Sequence, residues 1–203
     1  MVSSSFDRHE KKTKQNRFPL RIGSRVYHLD FENMILVGYK LLKFGKYQAA
    51  AAIFGAMVSH NQRPDHAIEL LLARCQIHLK EYECCKQTLQ STFSGKEENF
   101  VEPLHSALIF QDCGMLPDAV RELHGVMKSH PPLPAICLLV GDLFAAIGAA
   151  DTALLCWRLA IDRDNPAGVT AIIARWNLRR ILGSVQFAAV RTRVQQEKMP
   201  PMN

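Results

Sequence analysis

The sequence predicts an all-α chain, a solenoid of antiparallel helix pairs with about four repeats and a degenerate C-terminal pair. Three columns of residues predict it. A turn column holds Gly45, Lys80, Gly114, Gly148 and Gly183, at steps of 35, 34, 34 and 35 residues. A small-residue column seven positions before each turn holds Gly38, Ala73, Ala107 and Gly141, then breaks at Trp176. A large apolar column nine positions after each turn holds Phe54, Leu89, Leu123 and Trp157, then breaks at Thr192. Between them, five after each turn, stand Ala50, Cys85, Ala119, Ala153 and Ala188. Self-similarity at this period marks a helix–turn–helix array, in which one hairpin cannot bury its own apolar face and stacks on copies of itself.

In chain order, residues 1–17 are polar and basic with almost nothing to bury, and are expected to form a disordered tail. Residues 18–30 alternate enough to pack as an extended segment or a short helix. There Phe18, Ile22, Val26 and Tyr27 are expected to cap the exposed end of the array. The same segment is an alternative surface for a homodimer. Residues 31–197 form the repeat domain. Asp30 is a candidate N-cap for the first helix, with Asn33 three residues on, and Asp65 for the third. The expected helices are Phe31–Phe44, Tyr47–Ser59, His66–Leu79, Glu81–Thr92, Phe100–Cys113, Leu116–Ser129, Pro134–Ile147 and Ala150–Ile161. Pro117 sits in a first turn, which tolerates it. An arginine-rich pair, Val169–Leu182 and Ser184–Glu197, closes the array, as atypical terminal units do. Residues 198–203 are a frayed tail.

Composition sets limits on function. The net charge is +6, with +5 in residues 1–25 and +5 in residues 175–203, so the body between them carries −4. The six cysteines form no Cys-x-x-Cys pair and show no zinc spacing with histidine. They read as small apolar residues kept reduced in the cytoplasm. No apolar h-region opens the chain, and no run reaches the roughly 18 to 20 apolar residues of a membrane helix. The chain is therefore expected to be cytoplasmic, with no membrane insertion. There is no Gly-x-Ser-x-Gly elbow, phosphate-binding glycine loop or His-Glu-x-x-His, so no catalytic activity, cofactor or metal is expected.

In its small, aromatic and glycine positions the chain resembles the tetratricopeptide-repeat family over residues 31–197, about four-fifths of its length. Met34, Glu69, Pro103 and Cys137 stand where that family has a tryptophan, and Pro64, Pro131 and Pro166 approximate its closing proline. The resemblance implies a right-handed superhelix whose concave surface is lined by the first helix of each unit. Carried over, that surface comprises Ile35, Tyr39 and Leu42, then Leu70, Arg74 and Ile77, then Leu104 and Leu108, and finally Leu138 and Asp142. The implied groove is largely apolar, with Tyr39, Arg74 and Asp142 as polar handles. The alternative is that some of these residues pack against the N-terminal segment as core.

Ile35, Tyr39 and Leu70 occupy places where carboxylate-gripping members of the family carry lysine, asparagine and arginine, so a carboxylate clamp is not implied. Gly38–Phe54 also resembles the opening repeat of type III secretion translocator chaperones, which have apolar grooves and N-terminal dimerisation segments; the extra repeats depart from that family. Two function classes follow. One is an adaptor or chaperone binding an apolar segment of a partner protein, in the manner of a preformed groove. The other is a scaffold docking nucleic acid or an acidic surface through its basic ends, Arg8–Arg25 and Arg175–Arg193, with nucleic acid the less favoured partner.

Overall fold

Four helix pairs turn on a residue with left-handed backbone: Gly45 at φ 71°, Lys80 at 64°, Gly114 at 76° and Gly148 at 82°. Each turn makes the same two hydrogen bonds. The left-handed residue's N–H donates to the carbonyl three back, as from Gly45 to Leu42 (3.2 Å) and from Lys80 to Ile77 (2.9 Å). The next N–H donates to the carbonyl five back, as from Lys46 to Leu41 and from Ala149 to Phe144, both 2.9 Å. This is the Schellman closure of a helix end, which satisfies carbonyls that have no intrahelical partner. Three of the four positions are glycine because only glycine takes that conformation without a Cβ penalty.

The computed structural model describes residues 17–22, 25–60, 65–129 and 133–183. The expected basic tail before Arg17, the expected helix Ser184–Glu197 and the tail after it lie outside the described residues, apart from Arg17 itself. Nine α-helices are described: α1 Phe31–Lys43, α2 Tyr47–His60, α3 His66–His78, α4 Tyr82–Thr92, α5 Val101–Asp112, α6 Leu116–Ser129, α7 Pro134–Ala146, α8 Ala150–Arg163 and α9 Val169–Gly183. A 3-10 turn, Gly95–Phe100, leads into α5. The helix bounds match the sequence expectation to within two residues, and Gly183 is the last residue of α9. Asp30 and Asp65 cap α1 and α3 as expected, accepting from the N–H of Asn33 (2.8 Å) and of Ala67 (2.9 Å).

Among the described residues the fold is all-α apart from one β-hairpin. β1, Arg17–Ile22, pairs antiparallel with β2, Arg25–Asp30, from Arg17 opposite Asp30 to Ile22 opposite Arg25. The segment expected to cap the array is thus extended, and both strands contact α1. Of the four expected cap residues, Val26 is exposed; Leu29 is the strand residue that leans on the core.

The helices form two layers. In the outer layer, α2, α4, α6 and α8 each pack on their own pair partner and on the first helix of the next pair. In the inner layer, α3 also touches α5 and α7. Small and large columns mesh between the layers. An added Cβ at Gly38 would sit 2.8 Å from the Phe54 ring. Where the small residue is Ala73 or Ala107, the large one is Leu89 or Leu123, and all four are buried. Side-chain volume is exchanged across the contact, as close packing requires.

Candidate functional site

The ten carried-over residues occupy equivalent faces of four helices. On α1, Ile35, Tyr39 and Leu42 are spaced four and three apart, which places them on one side. Leu70, Arg74 and Ile77 repeat that spacing on α3. Leu104 and Leu108 on α5, and Leu138 and Asp142 on α7, continue the wall. All ten are between 0 and 4 % exposed. The expectation of an open groove with an accessible Tyr39 is corrected here: the row is interior. Over α1, α3 and α7 it is covered by α9, which contacts all three.

A charged cluster sits where α9 meets this wall. The Asp142 carboxylate accepts from the Tyr39 hydroxyl at 2.8 and 2.9 Å, from Arg74 Nη1 at 2.9 Å and from the Asn177 amide at 2.9 Å. Lys43 Nζ approaches the same carboxylate at 3.2 Å, and Asn177 Nδ2 also donates to the Tyr39 oxygen at 2.9 Å. Lys43 alone reaches toward solvent, its side chain 28 % exposed. Two cations therefore share one anion. Burial would push the Asp142 carboxyl up, but the charges of Lys43 and Arg74, with the hydrogen bonds from Tyr39 and Arg74, hold it below the usual carboxylate range. Burial, reinforced by the Asp142 charge, raises the Tyr39 phenol well above its ordinary value. Burial also lowers the Lys43 pKa, against the pull of Asp142.

Trp176 and Asn177 were not among the expected site residues. Trp176 meets Tyr39 edge-on, ring centroids 5.7 Å apart, with Lys40 and Arg180 over its ring at 5.9 and 5.4 Å. Asn177 is fully buried. A signal was present: Trp176 is the large residue that breaks the small column.

A second cluster bridges neighbouring pairs on the outside of this wall. His78 Nδ1 lies 2.8 Å from Asp112 Oδ1, and its ring stacks on Tyr47 at 4.2 Å. Lys80 pairs with the other Asp112 oxygen. Burial lowers the His78 pKa, partly offset by Asp112. Of the cysteines, Cys75, Cys85 and Cys137 are buried, Cys156 is half-buried, and Cys84 and Cys113 are exposed; all six are free.

Among the described residues, no group of three or more His, Cys, Asp or Glu side chains could hold a metal ion. No described helix is long and apolar enough to cross a membrane. No protein-family model matches the chain, and no curated protein matches it.

Proposed function

We propose that the chain is a non-enzymatic protein–protein interaction module of the tetratricopeptide type, an adaptor or chaperone built as a right-handed solenoid, holding an apolar segment of a partner on its inner wall. One observation carries this reading: the wall formed by α1, α3 and α7 has a helix, α9, laid against it, and the boundary between them is polar. Buried ion clusters contribute little to stability when well-packed apolar residues could fill the same space. A permanently sealed core gains nothing from Tyr39, Arg74, Asp142 and Asn177, whereas a wall that selects its occupant gains register and orientation. The secretion-chaperone resemblance of the first repeat points the same way.

The test is retention of proteins from a lysate of the native host on the full-length chain, at low and at high salt. Phosphate and acidic-surface contacts weaken steeply with salt, and apolar contacts do not. Partners that persist in high salt and on a chain with Arg179→Glu and Arg180→Glu support the module. Partners lost under both conditions overturn it in favour of docking through the basic ends, since both arginines are exposed on α9.

A further inference from the structure

We propose that α9 is an exchangeable occupant of the inner wall, and that it yields to a partner's amphipathic helix presenting an aromatic–amide pair in place of Trp176 and Asn177. The inference rests on the interaction-module reading and deepens it.

Departure of α9 costs the wall little of its polar pairing. Asp142 has four donors, and three of them, Tyr39, Lys43 and Arg74, belong to the wall itself. Without α9 the carboxylate keeps both cations and the phenol, so no buried charge is left unpaired. The single polar group that α9 contributes is Asn177, which donates to Asp142 Oδ1 and to the Tyr39 oxygen, both at 2.9 Å. The wall is therefore preorganised in the absence of its occupant, the condition under which a surface binds without reordering. An occupant is selected by two features: a flat aromatic against the edge of Tyr39 and under Lys40, and an adjacent amide donor for Asp142.

The start of α9 is held differently. Asp164 accepts from the Ala171 N–H at 2.9 Å, and a Cβ at Gly168 would lie 2.4 Å from the same carboxylate. That anchor ties the first turn of α9 to the loop after α8 and makes no use of the wall. A displaced α9 stays tethered there and competes at high effective concentration. Wild-type affinity for an outside helix is lowered accordingly, by the fraction of molecules whose wall is free.

The experiment uses the full-length chain and a fluorescein-labelled peptide of residues 165–183. Asn177→Leu removes the amide from α9 and leaves every wall residue in place. The variant is expected to bind the peptide at least ten-fold more tightly than the wild-type chain does, and a peptide carrying Asn177→Leu is expected to bind the variant ten-fold more weakly than the native peptide. Equal peptide affinity for the two chains, with circular dichroism showing both folded, overturns the exchange. If the variant does not fold, hydrogen exchange on the wild-type chain decides. Amides of α9 exchanging at least ten-fold faster than those of α3 and α7 support exchange, and equal protection overturns it. Host proteins retained in high salt that the peptide fails to displace overturn the exchange while leaving the module reading intact.

Discussion

Gly141 lies directly beneath the indole of Trp157: a Cβ at position 141 would sit 2.5 Å from Trp157 Nε1 and 2.6 Å from Cδ1. Trp157 is 1 % exposed and has no room to retreat. Gly141→Ala is therefore expected to destabilise by about 1–3 kcal/mol through overpacking, despite the better helix propensity of alanine. Ala107→Leu, in the same column, is expected to cost a similar amount. Denaturant unfolding checks both, and an unchanged midpoint for either would displace the register argued above.

Asp142 is the one anion for Lys43 and Arg74. Asp142→Ala leaves two cations beside each other without it, and is expected to cost roughly 3–5 kcal/mol, the usual penalty for breaking a buried pair. Tyr39→Phe keeps the carboxylate and should cost far less. Because the folded carboxyl titrates below its ordinary value of 3.8, its contribution is present above that pH and is lost as pH falls through the folded value. An acid titration of the melting temperature should show this loss in the wild-type chain and a flatter limb in Asp142→Asn.

His78 works in the same sense, in a higher pH window. Burial lowers its pKa below 6.5, against the pull of Asp112 and with the help of Arg74 and Lys80. The unfolded chain then binds the proton more readily than the folded one between the lowered value and 6.5, so stability rises with pH across that window. His78→Gln should flatten this part of the pH profile. A profile unchanged by the substitution would mean that His78 does not titrate as its surroundings indicate.

Thiol reactivity should divide in two. Cys84 and Cys113 are exposed and are expected to react promptly in the folded protein. Burial pushes the thiols of Cys75 and Cys85 up to about 12 and that of Cys137 to about 11, so little thiolate forms at neutral pH. Counting modified cysteines by mass spectrometry before and after denaturation checks the division. Four or more fast sites without denaturant would contradict it.

Lys80 is the one turn position in the described pairs that is not glycine, and it holds φ at 64°. An exposed ion pair with Asp112 returns little. Lys80→Gly is expected to raise the melting temperature and Lys80→Ala to lower it, since alanine keeps the strained backbone and loses the pair. Both moving the same way would show that the pairing, not the backbone, governs this turn.

Much of the local architecture was legible in the sequence because it is written in short-range chemistry. The turn column, the caps at Asp30 and Asp65 and the glycines under Phe54 and Trp157 all follow from neighbours a few residues or one hairpin apart. The inner faces were expected through the repeat resemblance, which gathers Ile35, Tyr39, Leu70, Arg74, Leu138 and Asp142. Their burial was not. It depends on where α9 goes, and no periodic pattern encodes a contact between residues 39 and 177. Only the misplaced tryptophan at 176 hinted at it. The strands escaped a definite reading because an alternating segment flanking a helix is equally compatible with extended or helical packing.

The hydrogen bond from Asn177 to Tyr39 spans 138 residues, and that from Tyr39 to Asp142 spans 103. A linear stack can melt from either end, one pair at a time, because each pair depends only on its neighbours. Here the first and last described helices are tied, so the loss of α1 removes support from α9 as well as from α2. Melting that starts at α1 should therefore release α9 early rather than leave it to the last. Such distant contacts are also reached late, since the intervening chain must be ordered before they form, and they slow folding relative to a stack with local contacts alone. Joining α1 to α9 trades speed of assembly for a wall covered by the chain's own helix.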